Sequence, residues 1–315
     1  MTDVLRSCSH SVTPTLSVVI PFYRDDPSDT LQTIAAQADN RVEILAWDDG
    51  TNDPALTDSL RRLLPSLPAD IRVFTGNPNR GRSAARNALV DAARAPWVLF
   101  LDADMQPTDP QFLDRYLDAI DADSGDVLFG GFTVPEIVTP QTRLHREFAL
   151  RSDCDTADIR AQHGPKHVAS SNLCVRKSVL AREAFDSGFI GWGWEDSEWA
   201  ARVATAFRIV HLDNPAIHLG LETTHTLLRR FATSGANYAR FARAHPALVE
   251  SLPLYRHAAR LAGLPGQALM RPILRALVAM PLPASIRITA LKLWRASHYA
   301  PHIPPQARVL HEVRS

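Results

Sequence analysis

The 315 residues are 45% hydrophobic and 22% charged, with a formal net charge of zero. This is close to ordinary soluble usage and leaves enough apolar material for one large α/β domain, or for one domain plus a helical appendage. The three cysteines, Cys8, Cys154 and Cys174, are few and far apart. They exclude a disulfide framework and zinc-finger spacing and point to a reducing, cytoplasmic setting. No apolar run precedes Leu16, so no signal peptide is expected. The neutral sum hides a split: residues 251–315 hold nine Lys/Arg against one acid, Glu312. Such asymmetry suggests that parts of the chain face different partners.

Residues 1–14 lack apolar periodicity and are expected as a flexible arm. A first buried strand is predicted over 16–20, stopped by Pro21, with Tyr23 in the loop that follows. A helix over 30–38 and a strand over 42–47 come next. That strand ends in the polar turn Asp48-Asp49-Gly50-Thr51. A helix over 56–64, a strand over 71–74 and a loop over 77–82 lead to a helix capped by Ser83 and running to about Arg94.

The run Val98-Leu99-Phe100-Leu101 reads as a buried strand ending in Asp102-Ala103-Asp104. Alternation along a strand would point both carboxylates the same way at its carboxyl end, where open α/β sheets bind ligands. Two such carboxylates suit a hard divalent cation holding phosphate oxygens. The bland alternative is a solvated turn with Asp as turn former.

A helix is predicted over 112–120, a glycine-containing strand over 126–134, mixed helix and loop over 136–166, a strand over 168–176 and a helix from Ser178. Alternating strands and helices argue for a doubly wound, mostly parallel sheet. The Gly-rich dinucleotide loop is absent after the first strand. The segment Gly191-Trp192-Gly193-Trp194-Glu195-Asp196 then opens a helix to about Phe207. Its acids either complement the helix dipole or supply a general base, and its tryptophans are either core or a wall for a sugar. Short strands are expected over 207–212 and 216–219. His218 is a better third metal ligand than His211, although a lone His in such a stretch is more often a satisfied core residue.

Six motifs in order carry a resemblance: Val-Val-Ile-Pro-Phe-Tyr (18–23), Asp-Asp-Gly-Thr (48–51), Asn-Arg-Gly-Arg-Ser-Ala-Ala-Arg-Asn (79–87), Leu-Asp-Ala-Asp (101–104), Ser-Asn-Leu-Cys-Val-Arg-Lys (171–177) and Gly-Trp-Gly-Trp-Glu-Asp-Ser-Glu (191–198). The pattern resembles the family 2 glycosyltransferases of GT-A fold. It is similar in particular to the branch with a Trp-Gly-x-Glu-Asp motif, such as chondroitin-polymerase domains and galactosyltransferase-like C-terminal modules. The resemblance covers about 16–222. It implies a catalytic domain over 15–222, a nucleoside diphosphate sugar donor (UDP-linked), a glycan or lipid-linked acceptor, Mn2+ or Mg2+, and inversion at the anomeric carbon. It also implies a place in cell-surface glycan synthesis. By position, Pro21, Tyr23 and Asp49 surround the base, and Arg82 or Arg86 lies near the nucleotide or its phosphates. Asp102 and Asp104 hold metal and diphosphate, with His218 as a further ligand. Trp192 and Glu195 face the sugar or acceptor, and Asp196 is the base. The Asn usual after the Tyr is Arg24 here, and Met105 stands where a third acid is common.

A nucleotidyltransferase would need a Gly-rich, Lys-bearing loop after the first strand, and a binding-only module would not need the acids. Region 223–315 is expected to be basic and mainly helical. Its arginines interleave with Leu, Ile, Met, Trp294 and Tyr299, as in an interfacial anchor on an anionic inner membrane face. A helical appendage packed on the catalytic domain is the alternative. Nucleic acid is not an expected partner.

Overall fold

A computed structural model describes residues 4–7, 13–76 and 78–303. The rest of the expected arm, Asn77 and the tail beyond 303 lie outside the described residues. The chain divides into two compact units. The first takes the chain to Thr139, with Arg146–Gly191 and Glu195–Leu221; the second takes Pro140–His145, Trp192–Trp194 and Glu222 onward.

Among the described residues, the first unit is built on eleven short strands. In chain order these are β1 (Val4–Arg6), β2 (Leu16–Phe22), β3 (Val42–Asp48), β4 (Asp70–Thr75), β5 (Trp97–Leu101), β6 (Met105–Pro107), β7 (Val127–Phe129), β8 (Phe132–Thr133), β9 (Asn172–Arg176), β10 (Ile209–His211) and β11 (Ala216–His218). Eight form one sheet in the order β1-β4-β3-β2-β5-β9-β7-β10. Pairs β2–β3, β2–β5, β3–β4 and β7–β10 are parallel, whereas β9 runs antiparallel to β5 and β7. The helices of this unit are α1 (Ser28–Ala35), α2 (Pro54–Leu63), α3 (Arg82–Ala92), α4 (Phe112–Asp121), α5 (Arg143–Ser152, which begins in the second unit), α6 (Ala157–His163), α7 (Lys177–Arg182) and α8 (Glu195–Val203). The central strands are buried on both sides. Val18, Ile20, Ile44 and Leu99 pack into one apolar cluster, and Val19, Leu45, Val98 and Phe100 into another, so their sequences read as continuous apolar runs rather than alternation.

Several expected boundaries move for identifiable reasons. Pro21 does not stop the first strand, which runs to Phe22 and pairs Pro21 with Trp47. Pairing with β5 has already ended at Val19, so the missing N–H breaks no bond on that side. The third helix begins at Arg82, because Gly81 at φ 86 turns the chain; Ser83 lies inside the first turn and does not cap it. Part of the expected arm is ordered: Val4–Arg6 pairs antiparallel with β4 along the sheet edge. The glycine-containing strand breaks into β7 and β8. A Cβ at Gly130 would sit 2.3 Å from the Tyr116 hydroxyl, and Gly131 adopts φ 77.

The second sheet, β6-β11-β8, positions chemistry. Strand β11 pairs antiparallel with β6, setting His218 opposite Met105, the residue after Asp104.

The second unit contains α9 (Thr224–Thr233), α10 (Gly235–Ala244), α11 (Pro246–Glu250), α12 (Pro253–Ala262), α13 (Arg271–Ala279) and α14 (Ala284–Tyr299). Helix α14 packs on α9, α12 and α13. Leu227 and Phe231 of α9 and Tyr238 and Phe241 of α10 are all buried, the two helices being split at Ser234. The segment 192–194 belongs to this unit. Asn237 Nδ2 donates to the Gly193 carbonyl at 3.1 Å, and Trp194 Nε1 donates to the Tyr299 hydroxyl at 2.9 Å. Among the described residues, no helix is long and apolar enough to cross a membrane.

Candidate active site

At the carboxyl end of β5 the chain turns rather than continuing as a strand. The Met105 N–H donates to the Asp102 carbonyl at 3.0 Å, closing a turn over 102–105. The expected strand alternation therefore does not set the two carboxylates. The Thr30 hydroxyl of α1 pins the turn by donating to the Ala103 carbonyl at 2.6 Å, and the Asp102 N–H donates to the Ser171 carbonyl at 3.2 Å. Asp104 Oδ2 lies 3.3 Å from His218 Nε2, whereas Asp102 Oδ1 accepts from Arg86 Nη2 at 3.2 Å.

The carboxylate of Asp104 lies directly over Gly220. A Cβ there would come within 1.9 Å of Oδ2, so any side chain at 220 displaces Asp104. Burial pushes the Asp104 carboxyl up, but the hydrogen bond and charge of His218, with Arg82, more than offset it and hold it low. Burial lowers His218, and Asp104 and Asp102 reverse that, so its imidazole is held high. These directions describe an ion pair.

Arg86 is central to the site. It is 1% exposed and lies one helical turn after Arg82 on α3. Its guanidinium meets Asp102 at 3.2 Å, Glu195 at 3.5 Å and Asp196 at 3.6 Å. Burial works against its charge, but the three acids more than offset this and raise its pKa. Of the two arginines expected near the nucleotide or its phosphates, Arg86 is enclosed by carboxylates, while Arg82 is the exposed one, 3.9 Å from Glu195.

The two acids that open α8 differ. Glu195 is 4% exposed, and burial, then the neighbouring Asp196, raises its pKa against Arg86 and Arg82. Asp196 has a side chain 25% exposed and accepts a hydrogen bond from the Ser170 hydroxyl at 2.7 Å. Ser170 was expected within a strand over 168–176. The strand begins at Asn172, so 170–171 become an edge turn reaching both Asp102 and Asp196.

Asp49, Tyr23 and Pro21, the residues expected beside the base, lie at or next to the ends of neighbouring strands. Asp49 is buried and accepts from the backbone N–H groups of Arg80 and Gly81 at 3.0 Å and 2.8 Å, tying β3 to the start of α3. Tyr23 is 38% exposed. Arg24, at φ 65, lies over its ring with the guanidinium carbon 4.9 Å from the centroid. Pro21 lies in β2 beside Trp47. Trp192 is partly buried in the second unit, 5.6 Å from the Phe231 ring.

The donor set of Asp102, Asp104 and His218 is oxygen-rich with one imidazole, which suits Mn2+ or Mg2+ in its chemistry. The three do not converge as a cluster, because Asp102 turns to Arg86. Among the described residues, the trio whose ligating atoms all lie within 4.8 Å of one another is instead Asp155, His163 and His167. Sequence reasoning did not single out Ser170, Thr30 or Gly220. Of these only Gly220, a glycine two residues after His218, left a readable signal.

Residues 17–183 match the family model described as glycosyl transferase family 2. The chain is 27% identical over 273 residues to validoxylamine A glucosyltransferase of Streptomyces hygroscopicus subsp. limoneus, covering 76% of this chain and 58% of the relative. It is 25% identical over 204 residues to the glycosyltransferase AglE of Haloferax volcanii, covering 62% and 63%. It thus spans less than two thirds of the length of these relatives. The mannosyltransferase PcManGT of Pyrobaculum calidifontis, solved with GDP-Man and Mn2+, superposes with a TM-score of 0.57 at 18% identity, covering 93% of this chain and 86% of that one. That likeness shows a common GT-A fold. With its sheet, its ordered motifs and its matched residues, the chain belongs to glycosyl transferase family 2.

Proposed function

We propose that the protein transfers a hexosyl or N-acetylhexosaminyl group from a nucleoside diphosphate sugar, UDP-linked, to an acceptor hydroxyl with inversion. The observation that carries this reading is the buried guanidinium of Arg86. It links Asp102, of the diphosphate-binding turn, to Asp196, the most accessible acid at the start of α8. Leaving-group binding and proton removal are thereby held in one rigid arrangement.

The acceptor hydroxyl gives its proton to an Asp196 oxygen as its own oxygen attacks the anomeric carbon. Ser170 orients that carboxylate by donating to it at 2.7 Å, and the Arg86 guanidinium lies 3.6 Å away. Positive character on the sugar resembles that of glycoside hydrolysis. Asp102 and Asp104, with His218, would hold Mn2+ or Mg2+, which when bound neutralises charge growing on the diphosphate. Exposed Arg82 lies beside the same site and suits the departing phosphates. Glu195, buried between Arg82 and Arg86, sets the position of both arginines. The Trp-Gly-x-Glu-Asp branch is the fitting subgroup, and cell-surface glycan synthesis the fitting role.

The second unit supports peripheral contact with an anionic membrane carrying a lipid-linked or growing glycan acceptor. The outward residues of α13 and its flanks include Leu269, Ile273, Met280 and Ile286, all exposed, with Arg275 among them. No acid occurs between Ser251 and His311. Apolar side chains ringed by arginine fit an anionic lipid surface by both area and charge.

The experiment is a panel of nucleoside diphosphate sugars, assayed for nucleoside diphosphate release with Mn2+ and with EDTA. Metal-dependent release from at least one donor is expected. Nucleotide binding without sugar release from any donor would favour a binding-only module.

A further inference from the structure

A second donor cluster lies in the first unit, on α6 and the turn after it. Asp155 precedes α6, His163 ends it, and Gly164 at φ 75 turns the chain into the short 3-10 turn 165–167 that carries His167. The two imidazole rings face each other at 4.7 Å between centroids, with 31° between planes. His163 Nδ1 is 3.6 Å from Asp155 Oδ2. One ligating atom from each of the three lies within 4.8 Å of the others.

We propose that Asp155, His163 and His167 form a zinc site distinct from the Asp102–Asp104 turn. Two imidazoles and one carboxylate are a borderline donor set, which favours Zn2+ over the hard ions suited to the diphosphate turn. Bonds of about 2.0–2.2 Å at tetrahedral angles bring ligand atoms to about 3.4 Å apart. The His163–Asp155 distance already comes close to this, and drawing in a His167 nitrogen that lies within 4.8 Å of both completes three corners. Water takes the fourth.

The backbone is prepared for this arrangement. The buried Arg160 donates to the Asp155 carbonyl and to the Leu212 carbonyl, the latter at 2.7 Å, anchoring the first ligand's main chain. Both histidines lie within five residues of one another, so metal closes a small loop with little entropy to lose. The segment then runs directly into 168–171, where the Ser170 hydroxyl meets Asp196. Zinc here braces the loop that orients the proposed base.

The test is equilibrium binding of Zn2+ to the full-length protein, with Co2+ absorption reporting geometry. No sugar donor is present, so the result is independent of the transfer reading. One equivalent of Zn2+ is expected, with a tetrahedral Co2+ spectrum and a melting point raised by about 4 °C at a hundredfold excess over Kd. Both signals should be lost in His163→Gln, at an exposed helix end where folding is not at risk, and in His167→Gln. Both should persist in Asp104→Asn. Undiminished binding in His163→Gln and His167→Gln, loss only in Asp104→Asn, or no zinc bound by the unaltered chain would each overturn the proposal.

Discussion

Replacing Arg86 with methionine keeps the apolar stem of the side chain and removes the guanidinium. Three carboxylates then lose the nitrogens that stood 3.2, 3.5 and 3.6 Å from them. At an effective dielectric of about 20, one such contact is of order 4 kcal/mol, and three opposed by burial do not add. Removing one partner of a buried ion pair typically costs about 3–5 kcal/mol, and that is the loss of stability expected at pH 7–8. Glu195 responds by taking up a proton, since burial already raises it. A carboxyl whose folded pKa exceeds its unfolded value favours folding below the unfolded pKa and loses that contribution as pH rises through the folded pKa. The deficit of Arg86→Met should therefore shrink by 1 kcal/mol or more between pH 8 and pH 5. Urea titrations at both pH values read this directly, with Arg86→Lys as the charge-keeping control. A midpoint matching the unaltered protein at pH 8, or a deficit that grows on acidification, would refute the role given to Arg86.

His211 supplies an acid-side prediction. Burial first, then the charges of Arg160 and His167, lower its pKa to about 4. The unfolded chain then binds a proton that the folded one refuses, so stability falls as pH drops from about 6.5 to 4. After discounting for partial exposure the effect is about 1–2 kcal/mol; urea titration of His211→Gln at pH 7 and 4.5 should show a weaker pH dependence than the unaltered chain, and an equal one would exclude His211 as the cause. For the membrane surface, the full chain should sediment with phosphatidylglycerol-containing vesicles and not with neutral ones. Ile273→Glu should abolish this and Arg275→Gln weaken it about fivefold; no sedimentation with either vesicle would remove the lipid role.

The sheet was largely legible because its central strands are apolar on both faces and are separated by turn residues. The ordered motifs from Pro21 to Asp196 pointed to a candidate site at its carboxyl edge. What could not be read was the third dimension of the polar groups. Arg82 and Arg86 look alike in the sequence, yet one helical turn makes one exposed and the other enclosed. The Asp102–Asp104 pair was read by strand alternation, but a turn pinned by Thr30 sends the two carboxylates to different partners. Ser170 looked like strand interior because Val168 and Ala169 are apolar. It became a site residue only where β9 begins two residues later. The Gly-Trp-Gly-Trp segment read as one motif with the acids after it, but its tryptophans pack with the C-terminal helices. Positive φ at Gly191, Gly193 and Trp194 breaks it from α8.

The central claim is that Asp196 takes the acceptor proton in a transfer whose leaving group is held at the Asp102–Asp104 turn. Its most direct test is the single-turnover rate of sugar transfer, in Mn2+ and at saturating donor, for the unaltered chain and Asp196→Asn. Asparagine is nearly isosteric and cannot accept the proton. The account predicts a fall of about 10²–10⁴-fold in rate with donor Kd changed less than about threefold. An Asp196→Asn protein that transfers sugar at the unaltered rate would contradict it.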